Sequence, residues 1–329
     1  MTRDVAVTGG SGLVGGHLVS RLVAEGRSVR ALVRSESSAS VVSALGADPY
    51  PVDLFDDSGL RRALWGVPLL FHVAGVNDPC PRDVAAMDHV NIEGTRSVVR
   101  AAAEAGVRRI VYTSSAVAIG EREGIVGTES IVHSGEYHSP YARSKHLAEL
   151  VAFETAADLG IDLVGVNPSS VQGPGRSGGS ARILLYALRS RRPWVMDTHV
   201  SIVDIEDCTD GHLAAVELGR PLERYLLSGA TVSVREALEL AQAVANVELR
   251  PRWLSAGLVR ALGRPASRII GAIRPGSGVC PALIDTLLHG HRFDASRSRR
   301  ELGIEYTPLA ETFARTIQWF RAEGLIESP

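Results

Sequence analysis

A short apolar strand predicted at residues 5–8 runs directly into glycines at a GxxGxxG spacing, Gly9, Gly12 and Gly15, and then into a helix-period stretch. A turn without Cβ atoms lets the backbone approach a pyrophosphate, and the helix N-terminus offers N–H groups at the positive end of its dipole. This junction therefore predicts a strand–turn–helix unit that binds a dinucleotide. A tight turn without a ligand is the alternative.

Short β-branched runs alternate with longer helix-period stretches along the first two-thirds of the chain. Such alternation produces parallel strands joined by right-handed crossover helices. We therefore predict an α/β fold built on a doubly wound parallel sheet. The predicted strands are 5–8, 28–33, 49–52, 69–73, 110–114 and 163–167, and the predicted helices are 13–25, 36–45, 58–64, 83–105 and 141–159.

After the sixth predicted strand the alternation weakens into a glycine-rich stretch. We expect residues 1–175 to form the dinucleotide-binding Rossmann domain, with about 201–228 returning to it. Residues 176–200 and 229–329 should form a smaller, mostly helical substrate-binding lobe. Helical residues 253–288 are either a lid over an apolar substrate or ordinary core of that lobe. Within these parts we predict a helix at 181–191, strands at 194–200 and 225–227, a strand and helix over 202–218, and mostly helix over 233–290.

Composition and charge narrow the classes of partner. A chain of 329 residues with 45% hydrophobic and 22% charged residues buries a sizeable core, which excludes disordered and fibrous proteins. Its net charge of −2 leaves no positive excess to attract nucleic acid or an anionic membrane. No apolar run reaches the roughly 20 residues of a membrane-spanning helix. We expect a cytoplasmic protein with a small-molecule substrate and no nucleic-acid or membrane partner.

The cysteines and histidines give no sign of a cross-link or a metal. Cys80, Cys208 and Cys280 are odd in number and widely spaced, so we expect neither a disulfide nor a CxxC metal site, and a reducing compartment. His289 and His291 flank a glycine without a carboxylate or cysteine at ligand spacing. We therefore predict that these two histidines are solvated and that the protein has no metal site.

The end of the second predicted strand reads Val33-Arg34-Ser35. A carboxylate there would bond the ribose 2′-hydroxyl of NAD, whereas a neutral residue followed by arginine suits the 2′-phosphate of NADP. We therefore predict NADP(H) as the cofactor in preference to NAD. The alternative is that Arg34 is a solvated loop residue, since all but one of the 35 basic residues are arginines. Asp53 after the third strand could accept from the adenine amino group or cap a helix.

Tyr141 and Lys145 lie one helical turn apart at the start of the predicted helix 141–159, and Lys145 is the only lysine of the chain. Reduction of a carbonyl by hydride requires a proton for the developing alkoxide. An unperturbed tyrosine with a pKa of about 10 supplies it reluctantly at neutral pH, and a neighbouring cation lowers that pKa. We predict that Tyr141 is the proton donor and that Lys145 activates it. A helix-surface pair without a role is the alternative.

The fifth predicted strand ends in Thr113-Ser114-Ser115, at the carboxyl edge where doubly wound folds bind ligands. We predict that Ser115 donates the hydrogen bond that polarises the substrate carbonyl. Ser114 takes that role if the register differs by one residue. A serine-rich strand end that only satisfies backbone groups is the other interpretation.

In these motifs the chain resembles the extended short-chain dehydrogenase/reductases over nearly its whole length. The glycine turn, the pair Asp53-Leu54 and the set Ser115, Tyr141 and Lys145 match motifs of that family in order. The resemblance implies that Asn91 supports a water or backbone relay beside the active site and that Lys145 also bonds the nicotinamide ribose. The implied cofactor contacts are Gly9, Gly12, Leu13, Val14, Gly15, Arg34, Asp53, Leu54, Val73, Ala74, Gly75, Thr113, Tyr141, Lys145, Pro168, Ser170 and Val171.

Residues 29–34, Val-Arg-Ala-Leu-Val-Arg, are similar to the dihydroflavonol 4-reductase-like branch of the NAD-dependent epimerase/dehydratase superfamily. This resemblance implies an NADP-dependent ketoreductase or alcohol dehydrogenase for a mid-sized, largely apolar substrate. It also implies a homodimer through the helices predicted at 83–105 and 141–159. One alternative is an epimerase or dehydratase of nucleotide-linked sugars, with Arg176 and Arg182 as phosphate contacts. Another is a non-catalytic dinucleotide-sensing regulator, although such proteins tend to lose the tyrosine–lysine pair.

Overall fold

The computed structural model describes residues 4–179, 181–273 and 279–327. Its strands are β1 (Val5–Thr8), β2 (Val29–Val33), β3 (Asp48–Pro51), β4 (Leu69–His72), β5 (Arg109–Thr113), β6 (Asp162–Pro168), β7 (Ser170–Gln172), β8 (Trp194–Met196), β9 (His199–Asp204), β10 (Arg224–Leu227), β11 (Ala230–Ser233) and β12 (Arg252–Leu254). Its α-helices are α1 (Leu13–Ala24), α2 (Glu36–Ala44), α3 (Asp57–Leu64), α4 (Val84–Asp88), α5 (Gly94–Glu104), α6 (Pro140–Leu159), α7 (Ala181–Ser190), α8 (Ile205–Leu218), α9 (Val234–Ala245), α10 (Ala256–Ile273), α11 (Pro281–His289), α12 (Ser296–Leu302) and α13 (Leu309–Ala322). A π-helical turn spans His89–Glu93 and a 3-10 turn spans Ala116–Ala118.

The main sheet has the strand order β10-β6-β5-β4-β1-β2-β3, and its neighbouring strands pair in parallel. The chain winds outward in opposite directions from β1 and from its neighbour β4. This reversal leaves a crevice at the carboxyl ends of the two strands, where doubly wound sheets bind ligands. The predicted α/β doubly wound fold is confirmed.

Both faces of the main sheet are covered, which explains why its strands are continuously apolar instead of alternating. Val5 and Val7 belong to a buried cluster that includes Leu18 of α1. Ala6, between them, belongs to the cluster on the other face, which includes Leu60 of α3. The carboxyl edge of the sheet is thereby held between two layers of helices, and side chains at the strand ends point from a rigid base.

The six predicted strands of the first two-thirds agree with β1–β6 to within one residue at each end. The single helix predicted at 83–105 is wrong in one respect, because a π-helical turn over His89–Glu93 divides it into α4 and α5. Asn91 lies in that turn and is buried. π-Helical turns concentrate at functional sites, and hydrophobic periodicity does not reveal them.

Outside the main sheet the structure has two small sheets and the helices of the C-terminal region. One sheet has the order β11-β9-β7, and the other pairs β12 with β8. The predicted strand at 194–200 is in fact two strands, β8 and β9, in different sheets. Within residues 201–228, β10 joins the main sheet beside β6, whereas β9 lies between β7 and β11. In the part of the chain that the structure describes, no helix combines the length and apolarity needed to cross a membrane.

Cys80 and Cys280 form a disulfide across 200 sequence positions, and Cys208 is free and buried. The prediction that the cysteines do not pair is therefore wrong. The fold brings Cys80, in the loop after β4, next to Cys280, the residue before α11. Their spacing in the sequence does not reveal this proximity. The prediction of a reducing compartment depended on unpaired cysteines and loses that support.

Candidate active site

A cavity of about 740 Å³ lies at the carboxyl edge of the main sheet and extends under the second lobe. This volume is within the range of small-molecule sites, roughly 300–1,000 Å³. All of the predicted cofactor contacts line it, and so do Ser115, Tyr141 and Lys145. Asn91 is not among its lining residues and lies behind the wall. The fold thus brings the predicted residues from the ends of β1–β6, from β7, and from α1 and α6 to one site.

The three glycines of the first turn meet different steric demands. Gly9 has a φ of +71°, and a Cβ there would lie 2.7 Å from the Ala74 nitrogen. A Cβ at Gly15 would lie 2.2 Å from the Gly9 oxygen, which only a backbone shift could relieve. At Gly12 the only atom near a Cβ would be the Gly9 oxygen, at 3.3 Å, and no side chain caps α1. Gly9 and Gly15 therefore set the turn, and Gly12 leaves the helix N-terminus open, as a pyrophosphate requires.

The adenosine end of the cavity is cationic and rich in hydroxyl groups. Arg34 and Ser35 follow β2 and line the cavity together with Ser11 and Ser38. Ser35 caps α2 by accepting from the Ser38 backbone N–H. The carboxylate of Asp53 accepts from the Phe55 backbone N–H at 2.9 Å, so it stabilises its own loop at the cavity wall. No carboxylate follows β2 directly.

Tyr141 lies in the first turn of α6, which follows the helix cap Ser139 and begins at Pro140. Its side chain interacts with that of Ser115, and both residues line the cavity. Burial raises the pKa of Tyr141, while the interaction with Ser115 and the charge of Arg176 oppose the rise. A phenol that keeps its proton at neutral pH beside a second hydroxyl is placed to donate to an oxygen that lies against both.

Lys145 lies one turn further along α6 and is 6% exposed. Its ammonium donates to the Thr113 backbone oxygen at 2.8 Å and lies 5.1 Å from the centre of the Tyr112 ring. Burial lowers the pKa of Lys145 to about 8, and the nearby carboxylate of Glu149 opposes that fall. The charge of Arg176 opposes the rise in the pKa of Tyr141. Activation of Tyr141 by Lys145 stays a prediction.

Asn91 joins the loop after β4 to α6. Its side-chain oxygen accepts from the Val76 N–H at 2.7 Å, and its amide nitrogen donates to the Val76 oxygen at 3.1 Å and to the Ser144 hydroxyl at 2.9 Å. Val76 lines the cavity, and Ser144 lies between Tyr141 and Lys145 in the sequence. Asn91 therefore positions the helix that carries both predicted catalytic residues.

A buried network that the sequence argument did not predict supports the same region. His72 bonds Thr8 through Nδ1 at 2.7 Å and Thr95 through Nε2 at 3.1 Å. Burial, aided by the charge of Lys145, lowers the pKa of His72 to about 3, so its ring is neutral. The Thr8 hydroxyl in turn accepts from the N–H groups of Val73 and Ala74. The signal available in the sequence was a polar residue at the end of each of two apolar strands.

The substrate end of the cavity is mainly apolar. α11 contributes Leu283, Thr286 and Leu287, so part of the segment predicted as lid or core lines the cavity, and residues 274–278 of it lie outside the described residues. Arg176 lines the cavity, whereas Arg182 is exposed and does not line it. The apolar lining residues of the second lobe are Ile183, Leu184, Val200, Ile202, Val234, Ala237, Leu238, Phe293 and Phe313.

A carboxylate and two histidines meet beside this end. Glu121 accepts from His289 Nε2 at 3.1 Å and from His291 Nδ1 at 2.7 Å. These hydrogen bonds overcome the effect of burial and lower the pKa of Glu121 to about 2. His289 is buried and His291 is half-buried, so the prediction that both are solvated is wrong. The sequence offered no signal, because Glu121 lies about 170 residues from the histidines.

The comparisons with known proteins identify the family of this chain. Residues 6–187 match the model of the 3-beta hydroxysteroid dehydrogenase/isomerase family. A putative dihydroflavonol 4-reductase of Synechocystis is 30% identical over 98% of this chain and 96% of that protein. Sterol demethylase protein B of Methylococcus capsulatus is 31% identical over 97% of this chain and 99% of that protein.

Solved structures show the same fold. DesIV, a dTDP-glucose 4,6-dehydratase of Streptomyces venezuelae solved with NAD and TYD bound, has a TM-score of 0.78 and 22% identity over 98% of this chain and 99% of that chain. That likeness concerns the fold alone. The family match covers more than half of the sequence, and the resemblance inferred from the glycine turn and the tyrosine–lysine pair is confirmed. The chain therefore belongs to the 3-beta hydroxysteroid dehydrogenase/isomerase family, within the extended short-chain dehydrogenase/reductases.

Proposed function

We propose that the protein is an NADP(H)-dependent oxidoreductase that interconverts a ketone or aldehyde and an alcohol on a mid-sized, largely apolar substrate. The observation that carries this proposal is that Tyr141 and Ser115 interact and both line the cavity where its nucleotide end meets its apolar end. A carbonyl oxygen that lies against both hydroxyls would place its carbon toward the nucleotide side.

Each of these residues has a distinct task in the proposed reaction. Ser115 donates a hydrogen bond that orients and polarises the carbonyl oxygen. Tyr141 donates its phenolic proton to that oxygen in the reducing direction and accepts it in the oxidising direction. Lys145, held by Thr113, presents its ammonium to the cofactor ribose and stabilises negative charge near the phenol. The nicotinamide, when bound, supplies or accepts the hydride.

The preference for NADP is supported by the adenosine end of the cavity. Arg34 provides a guanidinium there, Ser35 and Ser38 provide hydroxyls, and the N-terminus of α2 adds backbone N–H groups. These are the groups that bind a phosphate dianion, whereas the carboxylate that would bond a ribose 2′-hydroxyl is replaced by Val33.

Two further parts of the proposal concern organisation. We propose that residues 1–175 and about 201–228 form the dinucleotide-binding domain, and that 176–200 and 229–329 form the substrate lobe.

We also propose a homodimer in which α5 and α6 of two copies pack together, since Leu150 and Leu159 of α6 are more than 40% exposed. Light scattering during size-exclusion chromatography measures the mass, and a Leu150→Asp variant should shift it from dimer to monomer.

An epimerase or dehydratase of nucleotide-linked sugars is the second candidate. It is supported by Arg176, whose guanidinium lines the cavity near Tyr141 and could bind a diphosphate. The mainly apolar surface around it favours the carbonyl substrate. The two candidates differ in net chemistry, because an epimerase returns its hydride and consumes no cofactor.

The test is a cofactor-oxidation screen with NADPH and NADH against ketones, aldehydes and sugar nucleotides. We expect oxidation of NADPH with an apolar carbonyl, and a loss of about 10²–10⁴-fold in kcat in Tyr141→Phe, which lacks the proton donor. Tyr137→Phe, an exposed tyrosine outside the cavity wall, is the matched control and should retain activity. Interconversion of sugar nucleotides without net NADPH oxidation would replace this proposal with the second candidate. Cofactor binding without any turnover would favour a sensor.

Arg34→Ala tests the cofactor assignment separately. Loss of the guanidinium should weaken NADPH binding by roughly 10-fold or more, in keeping with a charge-assisted hydrogen bond of about 1.5–3 kcal/mol. NADH binding should change little. Fluorescence titration of both nucleotides measures the two constants, and an equal loss for NADH would refute the 2′-phosphate contact.

A further inference from the structure

The cluster of Glu121, His289 and His291 has a geometry that its hydrogen bonds alone do not explain. One carboxylate oxygen, Glu121 Oε1, accepts from two imidazole nitrogens at 2.7 and 3.1 Å. The three candidate ligand atoms lie within 4.8 Å of one another. In a tetrahedral zinc site with bonds of 2.0–2.1 Å the ligand atoms are about 3.3 Å apart, so small side-chain shifts would accommodate an ion.

The second carboxylate oxygen provides an independent observation. Glu121 is 1% exposed, and its Oε2 has no hydrogen-bond partner among the described residues. A buried carboxylate oxygen without a partner is costly, because desolvation is not offset. A metal ion held by this carboxylate would offset that cost, since carboxylates bind metals through one oxygen or both.

The charge of Glu121 has no permanent counter-charge. Glu149, the comparable buried carboxylate, pairs with Arg224 at 2.7 Å. Among the described residues, the ion pairs of Glu121 are with His289 and His291 only, and an imidazole is a cation only when protonated. All but one of the strong bases in this chain are arginines. A buried carboxylate that faces two imidazoles is nevertheless better matched to a metal ion than to a guanidinium, because imidazoles bind metal ions and are cations only when protonated.

The backbone is arranged to bring both imidazoles to the carboxylate. Gly290, between the histidines, has a φ of +66°, and a Cβ there would lie 2.2 Å from the Thr198 hydroxyl oxygen. Only glycine therefore permits this turn at the end of α11. His289 also borders a smaller cavity of about 200 Å³, and His291 borders the main cavity, so the cluster lies between the two.

We propose that Glu121, His289 and His291 form a three-ligand site for a divalent transition metal of the zinc class. Two imidazoles and one carboxylate are a donor set that zinc accepts, and a fourth position stays open for water or a polar group. The bound ion would connect the segment that follows the 3-10 turn near Ser115 to the C-terminal end of α11 and the residues just beyond it. The site would therefore fasten the substrate lobe to the main sheet without entering the hydride chemistry.

The test uses tag-free, chelator-treated protein titrated with Zn²⁺. We expect one bound ion per chain and a rise of roughly 4 °C in Tm at a free-metal concentration of 100 times Kd. Glu121→Gln keeps an oxygen that accepts both hydrogen bonds but loses the charge. Glu121→Gln and His291→Gln should each weaken zinc binding by at least ~100-fold. His138→Gln is the matched control, because His138 stacks on His289 at 3.9 Å but is not a proposed ligand.

The proposal is overturned if the wild-type protein binds less than one equivalent at micromolar zinc, if Glu121→Gln or His291→Gln keeps wild-type affinity, or if His138→Gln loses as much. Cobalt provides a readout on the wild-type chain alone, should a variant fail to fold. Bound Co²⁺ should show the intense visible absorption of a four-coordinate nitrogen–oxygen site without a thiolate band. The weak spectrum of the hydrated ion would overturn the proposal.

Discussion

The end of the cavity beside the glycine turn, where we propose the nucleotide binds, is built differently from the apolar end, where we propose the substrate binds. We call these the nucleotide end and the substrate end. The nucleotide end comes from the first 75 residues, where Gly9–Gly15, Arg34 and Val73–Gly75 follow adjacent parallel strands. Many of the groups that the nucleotide end presents to a ligand belong to the backbone. The substrate end consists of side chains from β9, α7, α9, α11 and α13, which lie in distant parts of the sequence.

The nucleotide end and the substrate end also differ in the interactions that hold their residues in place. Hydrogen bonds between neighbouring strands and the network of Thr8 and His72 fix the nucleotide end. The substrate end is connected to the main sheet by the disulfide of Cys80 and Cys280 and by the hydrogen bonds of Glu121 to His289 and His291, at the end of α11 and just beyond it. We infer that cofactor affinity and substrate affinity can be altered separately.

The largest effect is expected from removal of the disulfide in the double variant Cys80→Ser/Cys280→Ser. A cross-link that closes 200 positions is worth about 5 kcal/mol in the chain-entropy treatment. The variant should unfold at lower temperature in a calorimeter. Its KM for the carbonyl substrate should rise several-fold, because α11 lines the substrate end, while the Kd for NADPH stays unchanged.

A reductant provides the control for that variant. It should lower the Tm of the wild-type protein in the same direction and leave the double variant unaffected. A loss of NADPH affinity as large as the rise in KM would contradict the separation of the two ends.

A smaller effect on stability is expected at the nucleotide end, from Gly15→Ala. Its Cβ would lie 2.2 Å from the Gly9 oxygen, so the turn must shift, at roughly 1–3 kcal/mol of unfolding free energy. NADPH binding, measured by fluorescence titration, should fall strongly. Gly12→Ala is the matched control, because its Cβ would meet only the Gly9 oxygen at 3.3 Å, and it should weaken binding with little change in Tm. Equal Tm values for both variants would contradict the distinct roles of these glycines.

The features that the sequence predicted are those whose parts lie close together in it. The glycine turn, Val33-Arg34 after β2, and the tyrosine–lysine pair on α6 each occupy a few consecutive residues, and the alternation of strands and helices places them at one edge of the sheet. The disulfide and the cluster of Glu121 with His289 and His291 join residues about 170 to 200 positions apart, and nothing local marks either partner.

Predictions from hydrophobic periodicity were also wrong where a short irregularity interrupts a helix or a strand. The apolar period of 83–105 continues through the π-helical turn of Asn91, so one helix was predicted where three segments occur. The apolar run at 194–200 hides the break between β8 and β9. Hydrophobic periodicity reports which residues are buried, and it does not report which sheet a strand joins.

The smallest expected effect is a change in the pH dependence of kcat/KM, which we attribute to Lys145 at the junction between the nucleotide end and the substrate end. Since burial lowers the pKa of Lys145 to about 8, the ammonium is lost above that pH and kcat/KM for carbonyl reduction should fall there. The Glu149 carboxylate raises this pKa. Glu149→Gln should therefore move the alkaline limb to lower pH by roughly 0.5 unit. Glu154→Gln, an exposed acid on the same helix, is the control and should leave the pH profile unchanged. An unshifted limb in Glu149→Gln would exclude Lys145 as its origin.

The placement of the one free cysteine bears on how the chain can be oxidised. Cys208 is fully buried in α8 against the main sheet, and burial raises the pKa of its thiol. Thiol–disulfide exchange requires an accessible thiolate, which Cys208 does not provide in the folded protein. Of the pairings that the cysteines allow, only that of Cys80 with Cys280 is then open to an oxidant. Correct pairing therefore follows from folding itself, and oxidative refolding needs no isomerase once the main sheet has formed.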